Sequence, residues 1–273
     1  ANKADQYIKE QAMSEAPYFL YLPMTSPHTP LAVNKSFIGK SGLDNLYADL
    51  VIETDDVLGR VLDSLQKHGV ADNTLVIFAS DNGCAPYIGT QTNGKGGENA
   101  MEPQGHYPSA HYRGYKSDAW DGGHRIPCIA RWPGHIQPGT QNHQMVCLSD
   151  LISTCADILG ERLPENAGED SVSILPLFHG EDRPVRQHLV HHSISGKFAI
   201  RHGRWKLVLA PGSGGWSHND AEAAEQDLPI CQLYDMQTDP AEQHNLHAKH
   251  PDRVREMIRL LEQLVEEGRS TPG

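Results

Sequence analysis

The 273-residue sequence has few basic residues relative to acidic ones. It contains 23 Lys and Arg against 35 Asp and Glu, which gives a formal net charge of −12. A surface with this balance repels a phosphate backbone, so nucleic acid is excluded as a predicted partner. Binding of an anion is left to a few local groups.

Cysteine is also scarce, with five residues and no CxxC pair. The odd number and irregular spacing exclude a structural zinc site and a dense disulfide framework, and leave room for one disulfide. No run of about 18 apolar residues is present, and the first residues lack the apolar core of a signal peptide. We therefore expect no membrane span, and the residues themselves do not indicate a cellular location.

The first eighty residues contain a strand, helix, strand pattern. The apolar run Tyr18–Leu22 stops at Pro23 and is typical of a strand buried on both faces. Apolar residues then keep a helical period from Leu43 to Leu65, and a second apolar run covers Thr74 to Phe78. This order predicts a crossover unit in a mostly parallel sheet, where ligands gather beyond the carboxyl ends of the strands.

After residue 83 the pattern of apolar residues is less regular. Residues 84–118 show no periodicity, which predicts either a functional loop or a disordered surface loop. Pro127–Trp132 is a further strand pattern, and Leu148–Leu159 is a short helix pattern. The stretch "PGSGGWS" and the acidic segment from Asp220 to Asp227 are predicted as surface loops.

Beyond residue 175 the apolar runs become short and closely spaced. They predict strands at His188–Ser193, Phe198–Arg201 and Trp205–Leu209, and an amphipathic helix at Val254–Val265. Short strands joined by tight turns favour a small antiparallel sheet. We therefore divide the chain into a larger α/β portion, residues 1–175, and a small α+β subdomain, residues 176–273.

Two polar segments follow the predicted strands of the first portion. In "SDNG", Asp81 and Asn82 offer hard oxygen ligands suited to calcium or magnesium, although the same letters are typical of a turn. In "SPHTP", His28 lies on a proline-stiffened loop, where it is either a proton donor or anion contact, or a cap of the loop.

The segment "YKSDAWDGGHRIPCIARWPG" is the most informative, because it combines several residues that can bind an anion or shape a close turn. Lys116 and Arg125 can donate to an anion, and Gly122–Gly123 permits a close backbone turn. Asp121 can pair with a cation and so fix a lysine or arginine. By composition alone the segment is equally compatible with a solvated turn.

Taken in order, four segments resemble motifs of type I sulfatases, the arylsulfatase-like branch of the alkaline phosphatase superfamily. Tyr18 to Pro30 resembles "FFLYLPLTSPHTP", and Phe78 to Gly83 resembles "FTSDNG". Tyr115 to Gly134 resembles "GKxxxx(E/D)GGxRxPxxxxWPG", with tyrosine in place of the usual glycine, and Leu233 to Leu246 resembles "LYDLxxDPxExxNL". The resemblance implies part of an alkaline-phosphatase-like α/β fold: a mixed, mostly parallel sheet flanked by helices, plus a small C-terminal antiparallel sheet with a helix.

The resemblance also implies roles for individual residues. Asp81 and Asn82 would bind a divalent metal, usually calcium. Lys116 would contact the sulfate oxygens, and His28 would contact the sulfate or protonate the leaving alcohol. Arg125 is interpreted as a structural brace of Asp121. Three histidines would line the sugar subsite: His106, His111 and His124.

One departure from the family pattern concerns the nucleophile. The family converts the cysteine or serine of C/S-x-P/A-x-R into formylglycine, but Cys84-Ala-Pro-Tyr-Ile88 ends in isoleucine and no other cysteine or serine fits. The family's first pair of metal-binding aspartates would also precede residue 1. We therefore expect the chain to be the carboxyl-terminal part of a sulfatase, inactive alone, with formylglycine and calcium in the complete protein.

For the complete protein, the resemblance implies hydrolysis of sulfate esters, with a sulfated carbohydrate or an aryl sulfate as substrate. The alternatives are a phosphate or phosphonate ester hydrolase of the same superfamily, and a non-catalytic protein that binds sulfated glycans. By resemblance the location is periplasmic, secreted or lysosomal-like. An exposed sheet predicts association between chains.

Overall fold

The computed structural model describes residues 1–88, 102 and 105–271. The long loop predicted at residues 84–118 therefore lies partly outside the described residues. The chain forms two compact units: unit 1 comprises residues 1–77, 87–106 and 130–134, and unit 2 comprises residues 78–86, 107–129 and 135–273. The division into domains at residue 175 stays a prediction. In the described part of the chain, no helix is long and apolar enough to cross a membrane.

Unit 1 is built around two packed helices, α1 (Asn2–Gln11) and α2 (Leu46–Lys67), followed by a 3-10 turn (Ala71–Asn73). The predicted helix is confirmed as α2. It begins where the Asn45 side chain accepts hydrogen bonds from two backbone N–H groups, and the chain leaves it through Gly69, at φ +72°. Burial of a small apolar cluster stabilises the pair: Ile8, Leu65 and Ala71.

A buried carboxylate holds the preceding loop on α2. Asp49 accepts hydrogen bonds from the N–H groups of Gly39, at 2.7 Å, and Ser41, at 2.9 Å. These bonds lower the pKa of Asp49 although burial acts in the opposite direction. The bonds satisfy donors in the irregular segment that leads into the helix.

The strand predicted at Tyr18–Leu22 is not found, and the segment has no regular secondary structure. Phe19 is 74% exposed and Tyr21 is 76% exposed. An apolar run becomes a strand only when a neighbouring backbone satisfies its N–H and C=O groups, and no described segment does so here. The strands β1 (Val76–Ala79) and β2 (Cys128–Arg131) do form, and they pair in a two-stranded sheet.

Unit 2 is centred on an antiparallel sheet in the order β3 (His188–His192), β4 (Phe198–His202), β5 (Trp205–Val208) and β6 (Gln232–Asp235). The tight connection after His202 is confirmed, with His202 opposite Trp205 in the register. Strand β6, which the sequence pattern did not predict, overlaps the start of the "LYDMQTDPAEQHNL" motif.

Both faces of this sheet are buried. The helix α7 (Pro251–Glu267) packs on one face through Met257 and Leu261, against Ile200, Leu207 and Leu233. The other face, which carries Ala199, Val208 and Tyr234, packs against Ala119 and Trp120. Since successive side chains of a strand alternate between faces, the sheet joins the C-terminal helix to the segment that begins with Lys116.

Four short helices complete the described part of unit 2: α3 (Asp121–His124), α4 (Asp150–Leu159), α5 (Leu175–Phe178) and α6 (Asp220–Glu225). The predicted helix ending at Gly160 is confirmed as α4. The prediction of two surface loops is wrong in part, because Gly212 to Gly215 are buried and the acidic segment forms α6. Glycine has no side chain, so this stretch of backbone can pack inside the protein.

Candidate functional site

The end of β1 and the helical turn α3 (Asp121–His124) are joined by their backbones. The Gly83 N–H donates to the Gly123 carbonyl at 2.9 Å, and the Lys116 N–H donates to the Cys84 carbonyl at 2.8 Å. Asp81 is exposed and Asn82 is half-buried immediately before this junction. The structure therefore brings "SDNG" and "YKSDAWDGGH" together in unit 2.

Three glycines make this junction close enough to form. A Cβ atom added at Gly83 would lie 1.8 Å from the Gly122 carbonyl oxygen, and one added at Gly122 would lie 2.0 Å from the Gly114 carbonyl oxygen. At Gly123 the added atom would lie 2.5 Å from the Asp118 carbonyl oxygen. None of the three has a positive φ, so close approach of backbones requires glycine here.

The loop that carries Lys116 is closed by a buried carboxylate. Asp118 accepts hydrogen bonds from the Tyr115 N–H at 2.8 Å and from the Ser217 N–H at 3.1 Å, and the Ser217 hydroxyl also donates to it. Burial raises the pKa of Asp118, against the effect of these bonds. The backbone of half-buried Lys116 is thus held on both sides, by Cys84 and by the Asp118 turn.

Asp121 does pair with cations, but the closer one is outside the motif. The ammonium of Lys206 lies 2.6 Å from Asp121 and 2.8 Å from Glu242, whereas Arg125 lies 3.8 Å from Asp121. Glu242 also accepts a hydrogen bond from the Asp121 N–H at 2.6 Å. Lys206 and Glu242 are fully buried, so water does not screen the attraction between these charges.

The pKa values of Asp121 and Glu242 are shifted in opposite directions. Burial disfavours the charged form of Asp121, but the Lys206 ammonium outweighs it and lowers the pKa of this carboxyl. Burial raises the pKa of Glu242 despite the same ammonium. We name Asp121, Lys206 and Glu242 the buried charge cluster.

An arginine closes the cluster on its other side. Arg113 donates to the Glu242 carbonyl at 2.8 Å and to the Tyr234 hydroxyl at 3.1 Å, and its guanidinium lies 3.7 Å from the centroid of the Trp120 ring. Sequence reasoning did not find Arg113, Lys206 or Glu242 as supports of the site. The available signals were a lysine inside the apolar run "WKLVLA" and the "DPAE" of the last motif.

The predicted sugar-subsite histidines fall in different places. The ring centroids of His124 and His191 are 4.2 Å apart, and those of His111 and Tyr112 are also 4.2 Å apart. All four residues lie in unit 2. His124 keeps an exposed edge, while the protein around it and the Lys206 ammonium lower its pKa to about 4. His106 belongs to unit 1 and is exposed.

His28 also belongs to unit 1. It is exposed, its Nδ1 lies 2.7 Å from the Thr29 carbonyl oxygen, and it lines an open pocket with Thr25, Ser26 and Glu53. The ring is thus oriented by its own loop and lines a recess of mixed polar and apolar side chains. Its proposed role toward a substrate stays a prediction.

Asp81 and Asn82 have the oxygen ligands that a hard cation prefers, but two residues supply too few of them. Calcium takes six to eight oxygen ligands, of which a carboxylate and an amide supply two or three. Within residues 1–88, 102 and 105–271, no group of three or more His, Cys, Asp or Glu side chains is arranged to bind a metal. The two side chains are therefore of the type that binds a hard cation, but they are fewer than a complete site requires.

Comparison with known proteins bears on what this arrangement does. The family model described as Sulfatase matches residues 1–161, and the model described as N-sulphoglucosamine sulphohydrolase, C-terminal, matches residues 116–270. An N-acetylgalactosamine-6-O-sulfatase of Bacteroides thetaiotaomicron is 35% identical over 265 residues, which cover 96% of this chain and 49% of the relative. Human arylsulfatase A is 30% identical, with 96% of this chain and 50% of the relative covered.

Solved structures agree with these matches. A 6S-sulf protein from a glycosaminoglycan-metabolising locus of Bacteroides thetaiotaomicron superposes with a TM-score of 0.82 at 32% identity, covering 96% of this chain and 53% of that one. A Pseudoalteromonas sulfatase, PsFucS1, superposes with a TM-score of 0.77 at 22% identity, covering 99% and 53%. These likenesses confirm the predicted fold class. The chain spans about half the length of the curated relatives it matches.

Proposed function

The chain belongs to the sulfatase family, and on this premise we propose that the full-length protein hydrolyses sulfate esters of carbohydrates. Support comes from relatives named as N-acetylgalactosamine-6-sulfatases and from a related structure solved with glucosamine-2-N,6-O-disulfate. The observation that carries the proposal is the junction of Asp81 and Asn82 with the loop of Lys116, held by three glycines at backbone contact.

We propose that Asp81 and Asn82 hold a calcium ion together with ligands outside this chain. When bound, the ion would neutralise the sulfate and activate the nucleophile, which we propose to be a formylglycine, also outside this chain. Lys116 would donate to the sulfate oxygens, and His28 would supply a proton to the leaving alcohol. The low pKa of His124 keeps its ring neutral at pH 7, so that it would hydrogen-bond a sugar hydroxyl without adding charge.

His111 and His106 are proposed sugar contacts. From the resemblance we propose a periplasmic, secreted or lysosomal-like location. We also propose that chains associate through exposed apolar segments such as the one that contains Phe19 and Tyr21.

The isolated 273-residue chain is expected to bind calcium no more tightly than about millimolar, because a two-residue donor set leaves most of the ion's shell to water. Isothermal titration calorimetry measures this directly. The double variant Asp81→Ala, Asn82→Ala supplies the baseline. Micromolar binding that disappears in the double variant would show that the chain holds a complete site.

The full-length protein is expected to prefer an aryl sulfate over the matching aryl phosphate in kcat/KM. Lys116→Ala should lower kcat/KM for the sulfate by about a hundredfold, the scale of removing one donor to developing charge. The exposed Lys249→Ala serves as the matched control and should leave the rate unchanged. A preference for the phosphate ester would contradict the proposal. Hydrolysis of neither ester would favour a protein that only binds sulfated glycans.

A further inference from the structure

The loop from Gly212 to Ser217 combines a buried backbone with an exposed indole. Gly212, Ser213, Gly214 and Gly215 are buried, whereas Trp216 is 46% exposed. The other three tryptophans, Trp120, Trp132 and Trp205, are buried or half-buried. Trp216 is therefore the most exposed of the four tryptophans, and it is carried by a loop whose backbone is packed.

This loop is fixed to the segment that immediately follows Lys116. The Ala119 N–H donates to the Ser213 carbonyl at 2.8 Å, and the Asp118 carboxylate accepts from the N–H and hydroxyl of Ser217. A Cβ atom added at Gly215 would lie 2.4 Å from the Ser117 carbonyl oxygen. The backbone on both sides of Trp216 is therefore in contact with residues one to three positions beyond Lys116.

The loop also holds itself. The Ser213 hydroxyl accepts from the N–H groups of Gly215, at 3.0 Å, and His218, at 3.1 Å, and donates to the His218 carbonyl at 3.0 Å. Gly214 has φ +65°, a left-handed conformation that glycine adopts without strain. The turn that carries Trp216 is thus preorganised, which lowers the entropy lost when a ligand is held.

We propose that the Trp216 indole is a stacking platform for a sugar ring of the sulfated carbohydrate, and so a specificity-determining residue. This inference rests on the proposed function, because it takes Lys116 as the sulfate contact. A pyranose ring has one face made of C–H groups, which packs on a flat aromatic surface, while its hydroxyls stay in water or reach polar side chains. The chain's net charge of −12 does not oppose such a contact, since neither the indole nor the ring face is charged.

The test compares two substrates in the full-length protein: a sulfated monosaccharide and a small aryl sulfate without a sugar. Trp216→Ala should raise KM for the saccharide by about tenfold more than for the aryl ester, the scale of one aromatic stacking contact. Trp216→Phe should retain most of the wild-type KM, because a flat ring remains. Ile230→Ala, which removes another exposed apolar side chain of unit 2, is the control and should change neither KM.

A spectroscopic readout separates this inference from the proposed activity. Titration of the wild-type protein with the sulfated monosaccharide should change the tryptophan fluorescence, and the change should be lost in Trp216→Phe. Equal effects of Trp216→Ala on both substrates, or an unchanged fluorescence response in Trp216→Phe, would overturn the stacking role. If wild type hydrolyses neither substrate, the proposed function fails, and the fluorescence titration still decides whether Trp216 contacts the sugar.

Discussion

Replacing Lys206 by methionine is expected to lower the free energy of unfolding at pH 7 by about 3–5 kcal/mol, the cost of leaving buried charges without their partner. The ammonium lies 2.6 Å from Asp121 and 2.8 Å from Glu242, and both Lys206 and Glu242 are fully buried. Methionine fills a similar volume, so the loss reports the charge and not a cavity. Chemical denaturation of the wild type and the variant measures it.

The half-exposed ion pair of Lys197 with Asp220 provides the matched control. Lys197→Met should cost only about 0–1 kcal/mol, because water screens that pair. An equal loss in Lys206→Met and Lys197→Met would show that the buried charge cluster does not stabilise the fold.

The loss in Lys206→Met should also depend on pH. Without the ammonium, burial leaves the two carboxyls with folded-state pKa values above their unfolded ones, as Glu242 already has. A carboxyl of this kind binds protons more readily in the folded state, so lower pH favours folding. The stability gap to wild type should therefore shrink as pH falls from about 7 to about 5, and the double variant with Glu242→Gln should show a smaller gap at pH 7.

Replacing Gly83 by alanine is expected to cost about 3 kcal/mol of unfolding free energy, at the upper end of the usual range for overpacking. The added methyl group would lie 1.8 Å from the Gly122 carbonyl oxygen, and its next neighbours are also backbone atoms, at 2.9 and 3.0 Å. Backbone cannot move aside as a side chain can. The strand end that carries Asp81 and Asn82 must therefore shift away from α3.

The same substitution at Gly59 should have the opposite sign. Gly59 is exposed inside α2, and nothing lies within 4 Å of an added Cβ atom. Alanine there should stabilise the protein by about 0.5–1 kcal/mol, since it loses less backbone entropy in a helix. Thermal unfolding of both variants gives the comparison. A Gly83→Ala variant as stable as wild type would mean that the junction yields without cost.

The C-terminal sheet supports the candidate site through the buried charge cluster. Lys206 on β5 and Glu242 after β6 hold Asp121, and Asp121 begins the turn whose glycines contact Gly83. The buried charge cluster thus lies between the sheet and the strand end that bears Asp81. Removing the cluster is expected to weaken both the fold and the position of the proposed metal ligands.

Local patterns predicted much of this fold. The helical period between Leu43 and Leu65 and the short strands after residue 188 depend on neighbours a few positions apart, and the structure has α2 and the antiparallel sheet where these patterns lie. The run Tyr18–Leu22 has an equally clear pattern, yet it forms no strand in the described chain. A strand needs a partner, and no single segment records whether one is present.

Four motifs in one order were enough to assign the family, and they contain the candidate site residues Asp81, Asn82 and Lys116. The contacts that support these residues exist only in the folded chain. The contacts of Asp121 with Lys206 and Glu242 join residues 85 and 121 positions apart, and the glycine contacts join separate backbones. Propensity and periodicity act over a few residues, whereas burial, ion pairing and close approach arise when distant segments pack together.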